Sequence, residues 1–215
     1  MMHLTGKERD WVLYDVGNSA FVMLTATVIP ICFKNVAEGT GMSAADSTAY
    51  FSYASSLVTV IAAVLGPVLG AVADMKGFKK PVFACFMGIG VLGCAMLGIP
   101  AGWLLFLGIY VIAKVGYQGS LTFYDSMLTD VTTDDRVDQV SAHGYAWGYI
   151  GSCIPFVISI LLILYAEPLG LGSTKAAALV FAFNAVWWFV LTLPLLRSFE
   201  QICYVEKKEH PVRES

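Results

Sequence analysis

Residues 66–80 read GPVLGAVADMKGFKK, and they lie where one long apolar run ends and the next begins. Within them Gly70, Asp74, Gly77, Lys79 and Lys80 fit the pattern G-x-x-x-D-x-x-G-x-[RK]-[RK]. Glycine adopts positive φ at little steric cost, so this spacing predicts a tight turn between two closely packed helices. The paired lysines are expected to hold that turn on the cytoplasmic side of a membrane.

The apolar runs on either side of this turn belong to a set of six. A membrane helix needs roughly 20 mostly apolar residues, and the predicted spans cover about residues 11–33, 48–73, 81–99, 102–129, 139–166 and 175–197. Short loops between them predict antiparallel neighbours. The predicted fold class is an all-α integral membrane bundle of six transmembrane helices over residues 1–198, with a polar cytoplasmic tail over 199–215. Proline inside a span is expected to kink it, and this applies to Pro30, Pro67 and Pro155.

The composition agrees with a membrane protein. The chain is 57% hydrophobic and 13% charged, whereas soluble domains carry about 25% charged residues. The lipid bilayer is therefore the expected surrounding, and a net charge of −3 argues against a nucleic-acid partner. The sequence holds no hydrolase, phosphate-binding or metal-binding motif, which predicts a protein that is not an enzyme and has neither cofactor nor metal.

The lysines and arginines predict the orientation. With the N-terminus inside, the outer side holds only Lys34 and Lys175, and Lys114 falls within the fourth span. Cytoplasmic loops carry the excess of basic residues, so both termini are expected to be cytoplasmic, most simply in a plasma or inner membrane. The basic residues then on the inner side are Lys7, Arg9, Lys76, Lys79, Lys80, Arg136, Arg197, Lys207, Lys208 and Arg213.

Three further segments carry a family resemblance together with residues 66–80. They are WVLYDVGNSAF at 11–21, FYDSMLTDVTTDDR at 123–136 and VSAHGYAWGYIGS at 140–152. The chain resembles major facilitator superfamily transporters related to the fungal vacuolar amino-acid effluxer. It departs from that family's usual pattern by Val16 and Gly17 in place of Trp-Ala, Asp125 in place of Asn, and Thr129 in place of proline.

The resemblance implies a fold of two six-helix bundles joined by a cytoplasmic loop, of which this chain matches the first. It further implies a secondary active transporter, or its N-terminal half, that moves a small solute such as amino acids or related metabolites by alternating access. The expected partner is a second six-helix half, either another copy of the chain or a C-terminal half, and residues 199–215 correspond to the start of the central linker. The alternative is a non-transporting six-helix module that assembles with a partner protein.

Polar residues inside two spans are candidates for substrate binding or coupling. Lys114 lies close to mid-bilayer, roughly 16 Å into the fourth span, where a charge is costly and is expected to face a bundle interior. On a helical wheel it falls within about 40° of Gln118 and Asp125, which predicts one polar stripe. The alternative for Lys114 is a purely structural pair. Asp15 and Asn18 share a face of the first span about one turn inside its start, and the lysine is expected to reach Asp15 if the helices are neighbours.

The loop motif contributes candidate gating residues. In the family that the chain resembles, Asp74 contacts the second bundle and helps hold the outward-facing state. Without that partner an aspartate in the last helical turn opposes the helix dipole. Arg136 is expected to bridge to Asp74 or Asp130. The acidic residues of its loop are expected to form a solvated face, and they are Asp130, Asp134, Asp135 and Asp138. The gating set is Gly70, Asp74, Gly77, Lys79, Lys80 and Arg136.

The fifth and sixth spans combine glycine with polar and aromatic residues. Gly144, Gly148 and Gly151 predict a small-residue face for close helix packing. Their neighbours His143, Tyr145, Trp147 and Tyr149 are expected to pack rather than to contact substrate. For Asn184, Trp187 and Trp188 the sequence leaves cavity-lining and lipid-facing positions open.

Overall fold

A computed structural model describes residues 3–99 and 102–205 as a bundle of seven helices. In chain order they are α1 Gly6–Ala26, α2 Val28–Glu38, α3 Ala44–Ala73, α4 Lys79–Met96, α5 Trp103–Val131, α6 Val137–Leu164 and α7 Ser173–Ser198. Helices α1 and α2 form one continuous span from Gly6 to Glu38, so six spans are long and apolar enough to cross a membrane. The predicted six-span, all-α fold is confirmed.

The first span is longer than predicted because its opening turn is polar. Thr5 caps α1: its hydroxyl accepts a hydrogen bond from the amide of Glu8, and the Glu8 carboxylate accepts one from the amide of Thr5. This capping box starts the helix at Gly6, before the apolar run begins. The span breaks at Thr27, whose φ of −130° is not helical. Pro30 follows in the next turn, and because it has no N–H the carbonyl of Ala26 loses its helical partner there.

Helix α1 is central to the bundle and packs mainly on α6 and α7, while α4 packs on α5 and α7, and α3 on α5. Large aromatic side chains fill the interior between these helices. Phe21 stacks on Trp188 with ring centroids 5.4 Å apart, and Tyr14 meets Phe83 edge-on at 5.0 Å. Trp188 is fully buried, so it belongs to the core, while Trp187 donates a hydrogen bond from its indole to the carbonyl of Val16.

Two glycine faces allow the closest helix approaches. On α6 a Cβ at Gly144 would lie 2.7 Å from the Trp11 ring, which agrees with the predicted packing of α6 on α1. The second face, between α4 and α5, was not predicted from the sequence. There a Cβ at Gly116 would lie 2.6 Å from the backbone nitrogen of Gly90 and 2.9 Å from the carbonyl oxygen of Phe86. These two helices are therefore in backbone contact.

Helices α3 and α6 are the least covered. Only 17% of the most apolar stretch of α3 and 28% of that of α6 is buried within the chain, against 50% for α5. We call the uncovered side of these two helices the open face. It includes the exposed side chains of Leu57, Val60, Val64, Tyr145 and Tyr149.

Candidate functional site

A polar cavity of about 510 Å³ lies between α1, α5 and α6. Each helix contributes polar side chains to it in an otherwise apolar part of the bundle. Helix α1 provides Trp11, Asp15, Asn18, Ser19, Val22 and Met23; α5 provides Tyr117, Leu121, Tyr124, Asp125 and Leu128; α6 provides Ser141, Tyr145, Tyr149 and Ser152.

Asp15 and Asn18 meet in this cavity as their spacing predicted. The amide of Asn18 donates to Oδ1 of Asp15 at 3.4 Å and to the carbonyl of Tyr14 at 3.1 Å. Because α1 begins at Gly6 rather than at residue 11, Asp15 lies further from the helix end than the predicted single turn. A Cβ at Gly148 would lie only 2.7 Å from Oδ2 of Asp15, so a glycine at this position leaves room for the carboxylate.

The predicted stripe of Lys114, Gln118 and Asp125 is divided in the structure. Asp125 lines the cavity, whereas Gln118 lines a small separate pocket between α3 and α5. The ammonium of Lys114 lies outside the cavity lining. It donates to the hydroxyl of Thr25 at 3.3 Å and lies 4.8 Å from the centroid of the Tyr117 ring. The expected contact of Lys114 with Asp15 is wrong, because the side chain extends toward a point on α1 ten residues beyond Asp15.

The aromatic lining was not identified from the sequence. Trp11 and Tyr124 stack with centroids 4.3 Å apart, and the Trp11 indole donates to the carbonyl of Tyr124 at 3.1 Å. Tyr124 is 3% exposed, and its hydroxyl has no hydrogen-bond partner among the described residues. Both residues lie in the quoted segments: Trp11 is four residues before Asp15, and Tyr124 directly precedes Asp125. Tyr145 and Tyr149 were expected to pack, but they are mostly exposed and border the cavity.

The turn between α3 and α4 has the predicted geometry. Gly77 has a φ of +81°, a value that favours glycine. Gly70 is not explained by packing within this chain, since a Cβ there would meet nothing within 4 Å. Asp74 ends α3 and is exposed, and its side chain has no hydrogen-bond partner among the described residues. Its gating role remains a prediction.

A buried ion pair joins the start of α4 to the end of α5. Nζ of Lys79 lies 2.6 Å from Oδ2 of Asp130, with side chains only 3% and 0% exposed. Lys79 also donates to the carbonyl of Ser126 at 3.1 Å. The expectation of a solvated acidic face is therefore wrong for Asp130, which lies in the last turn of α5 and faces inward. The other acids of that loop, Asp134, Asp135 and Asp138, are exposed as expected.

The segment after α7 is held against this ion pair and the adjoining turn. The amides of Ile202 and Cys203 donate to Oδ1 of Asp130 at 2.7 and 2.5 Å. The Gln201 side chain accepts from the amide of Gly77 at 2.8 Å, and the amide of Val205 donates to the carbonyl of Asp74 at 2.9 Å. The sequence predicted only a polar tail here, and in the structure its first part, residues 199–205, is extended and hydrogen-bonded. Residues 206–215 of the tail lie outside the described part.

Arg136 binds neither of its predicted partners. Its guanidinium donates two hydrogen bonds to the Glu8 carboxylate, at 2.9 Å from Nε and 2.7 Å from Nη2. The hydroxyl of Thr132 donates to the same carboxylate at 2.7 Å. Asp130 is occupied by Lys79, and Asp74 lies on another loop. Glu8 was not predicted as the partner of Arg136. The one sequence signal of a structural role for Glu8 is the Thr5-x-x-Glu8 capping pattern at the start of α1.

The cavity lining is suited to binding a polar solute. The described residues include no group of three or more His, Cys, Asp or Glu side chains that could hold a metal ion. The cavity offers carboxylates, hydroxyls and aromatic rings, which can form hydrogen bonds and packing contacts with polar or charged solutes.

Comparisons with known proteins agree with the motifs. The sequence profile of the family "Vacuole effluxer Atg22 like" matches residues 42–137 and 129–203. The chain is 43% identical over 217 residues to YxiO of Bacillus subtilis, described as an uncharacterized MFS-type transporter; the match covers 99% of this chain and 51% of that protein. It is 39% identical over 56 residues to autophagy-related protein 22-1 of Penicillium rubens, which covers 26% of this chain and 9% of that protein.

The extent of these matches fits one bundle of a two-bundle transporter. The chain spans about half the length of the bacterial relative, and its six spans form one helical bundle. The chain is therefore an integral, multi-pass membrane protein of the Atg22-like effluxer family, and its helices form one half of a major-facilitator-type fold.

Proposed function

We propose that the chain is the N-terminal half of a secondary active transporter that moves a small solute by alternating access. One observation carries the proposal: a cavity lined by two carboxylates, hydroxyls and aromatic rings lies inside an apolar bundle. Polar groups at membrane depth are costly and mark substrate or ion pathways. The names of the relatives support transport, since one is an MFS-type transporter and the family is described as effluxer-like.

The proposed solutes are amino acids or related small metabolites. Asp15, Asn18 and Asp125 are the proposed binding or coupling residues in the cavity. Lys114 is proposed to act from beside the cavity, through the Tyr117 ring over which its ammonium lies. Gln118 faces a different pocket, so a role for it requires contact with another part of the transporter.

The open face is proposed to meet a second six-helix bundle, either another copy of the chain or a C-terminal half. The two halves of major facilitators are parallel and related by an axis along the membrane normal, and substrate binds between them. The uncovered apolar side chains of α3 and α6 and the unpartnered Asp74 at the end of α3 support this arrangement. Gly70, Gly77, Lys79 and Lys80 are proposed to shape the gating loop that carries Asp74, while Arg136 fixes the neighbouring loop through Glu8.

Solute flux into liposomes tests the proposal. The chain is reconstituted alone and together with a second bundle, either a tandem copy or a separately expressed C-terminal half from a full-length relative, and uptake of a labelled amino-acid mixture is followed. We expect saturable uptake only where two bundles are present. A folded two-bundle protein without flux for any solute contradicts transport and favours the non-transporting module.

The orientation of the chain is a separate prediction. Met75 lies in the loop between α3 and α4, and Thr40 lies in the loop between α2 and α3. Because the basic residues concentrate at the end of the bundle that contains Met75, this end is expected to be cytoplasmic. In a cysteine-free background, Met75→Cys should react with an impermeant thiol reagent only from the inside, and Thr40→Cys only from the outside. The reverse pattern contradicts the orientation.

A further inference from the structure

The charge of the cavity is one-sided. Asp15 and Asp125 line it, and its lining includes no lysine, arginine or histidine. Neither carboxylate has an ion-pair partner within 4 Å among residues 3–99 and 102–205. Lys114, the basic residue of the predicted polar stripe, donates a hydrogen bond to Thr25 instead. Asp15 is partly buried, whereas Asp125 is exposed at the edge of the cavity. A carboxylate that is removed from bulk water, as Asp15 partly is, is costly unless it is paired. The cavity therefore lacks a positive charge that a solute can supply.

Asp15 is positioned to receive that charge. Its Oδ1 accepts one hydrogen bond from Asn18, and its Oδ2 has no hydrogen-bond donor in the described part of the chain. Gly148 leaves the space beside Oδ2 that any larger residue would fill. One oxygen of the carboxylate therefore contacts the protein through Asn18, and the other keeps its full capacity to accept hydrogen bonds.

The aromatic lining suits the same kind of ligand. The faces of Trp, Tyr and Phe rings attract cations at about 6 Å or less from the ring centroid. Tyr117 already holds one ammonium in this way, that of Lys114, at 4.8 Å. Tyr124 adds an independent feature: although it is 3% exposed and borders the cavity, its hydroxyl has no hydrogen-bond partner among the described residues. A buried hydroxyl without a hydrogen-bond partner is energetically unfavourable, and a bound ligand can supply that partner.

We propose that this half of the transporter binds an ammonium group, so that its solute is a protonated primary amine with an apolar or aromatic body. Asp15 is the main counter-charge, Asp125 is the second, and the aromatic rings surround the body of the solute. An anionic solute would meet two carboxylates, and a neutral one would leave both unpaired. The inference rests on the proposed function only in taking this cavity as the solute site.

Binding to the purified chain tests the inference with three probes of nearly the same shape. These are phenethylamine, which is protonated at neutral pH, the neutral 2-phenylethanol and the anionic 3-phenylpropionate. Isothermal titration calorimetry in detergent measures their affinities. We expect phenethylamine to bind at least about tenfold more tightly than the alcohol, and the anion not to bind.

Two variants assign the binding to Asp15. Asp15→Asn should weaken phenethylamine binding by about tenfold or more and leave 2-phenylethanol unchanged, because only the charged probe loses its counter-charge. Gly148→Ala should also weaken amine binding, since the added methyl displaces the carboxylate without removing its charge. Asp134→Asn is the matched control, because Asp134 is exposed and outside the cavity. Circular dichroism melting confirms that each variant is folded.

The outcomes separate this inference from the transport proposal. Three results would each overturn the ammonium site. They are equal affinity for the amine and the alcohol, no amine binding by the folded protein, and unchanged amine affinity in Asp15→Asn. If a two-bundle protein transports solutes but does not prefer amines, the ammonium site fails and transport stands. If the amine binds through Asp15 but no solute crosses liposomes, transport fails and the ammonium site stands.

Discussion

Replacing Lys79 with methionine is expected to lower the free energy of unfolding by about 3–5 kcal/mol, because it leaves a buried carboxylate without its counter-charge. Lys79 and Asp130 are almost fully buried and lie 2.6 Å apart. The same carboxylate accepts the amides of Ile202 and Cys203, so losing the pair should also loosen the segment after α7. Unfolding by SDS in mixed detergent micelles measures the effect.

Two further variants identify the cause. Lys80→Met changes the adjacent lysine, which is exposed, and should cost less than about 0.5 kcal/mol. The double variant Lys79→Met with Asp130→Asn removes both charges and keeps an acceptor oxygen for the two amides, so most of the stability should return. Equal losses in Lys79→Met and Lys80→Met would show that the pair contributes nothing to stability.

Gly116→Val is expected to be the other strongly disruptive substitution. The first added carbon would lie 2.6 Å from a backbone nitrogen of α4 and 2.9 Å from a carbonyl oxygen, and backbone cannot move aside as a flexible side chain can. Helices α4 and α5 must separate, at a cost of about 3 kcal/mol or more. SDS unfolding together with the yield of monodisperse protein on size-exclusion chromatography measures the change.

Gly108→Ala is the control for helix propensity. Gly108 lies on the same helix, and a Cβ there would meet nothing within 4 Å. Alanine is the better helix former, so this variant should be neutral or more stable by up to about 1 kcal/mol. If Gly116→Val is as stable as Gly108→Ala, the close contact between α4 and α5 is not a source of stability.

The sequence predicted the fold because hydrophobic length and glycine spacing are local signals. The six spans, the turn at Gly77 and the glycine face of α6 each depend on a few neighbouring residues, and each is found in the structure. The predicted helix ends were less accurate where polar residues extend a helix beyond its apolar run. The capped first turn at Gly6 is the clearest case, because its residues do not belong to the apolar run.

The partners of charged residues could not be read from local patterns. Asp130 stands in a run of acidic residues that resembles a solvated surface, yet Lys79 is 51 residues away along the chain and Ile202 is 72 residues away. Arg136 binds Glu8 across 128 residues. Similarly, helical spacing predicted that Lys114 faces inward, but whether it meets Asp15 or Thr25 depends on the kinked course of the first span. The site therefore emerged only when helices distant in sequence were placed together.

The proposal that the cavity is the solute site, open to water on the transport pathway, is tested most directly by thiol accessibility at Ser19. Ser19 lines the cavity on α1, and cysteine is nearly isosteric with serine. One protein carries Ser19→Cys as its sole cysteine. The control keeps only native Cys85, which is exposed on α4 outside the cavity lining and is expected to face lipid. In liposomes that contain the two-bundle protein, a membrane-impermeant thiol reagent should label the cysteine at position 19. Phenethylamine should slow that labelling, and Cys85 should stay unlabelled. If position 19 is labelled as slowly as Cys85 and the amine has no effect, the cavity is not the solute site.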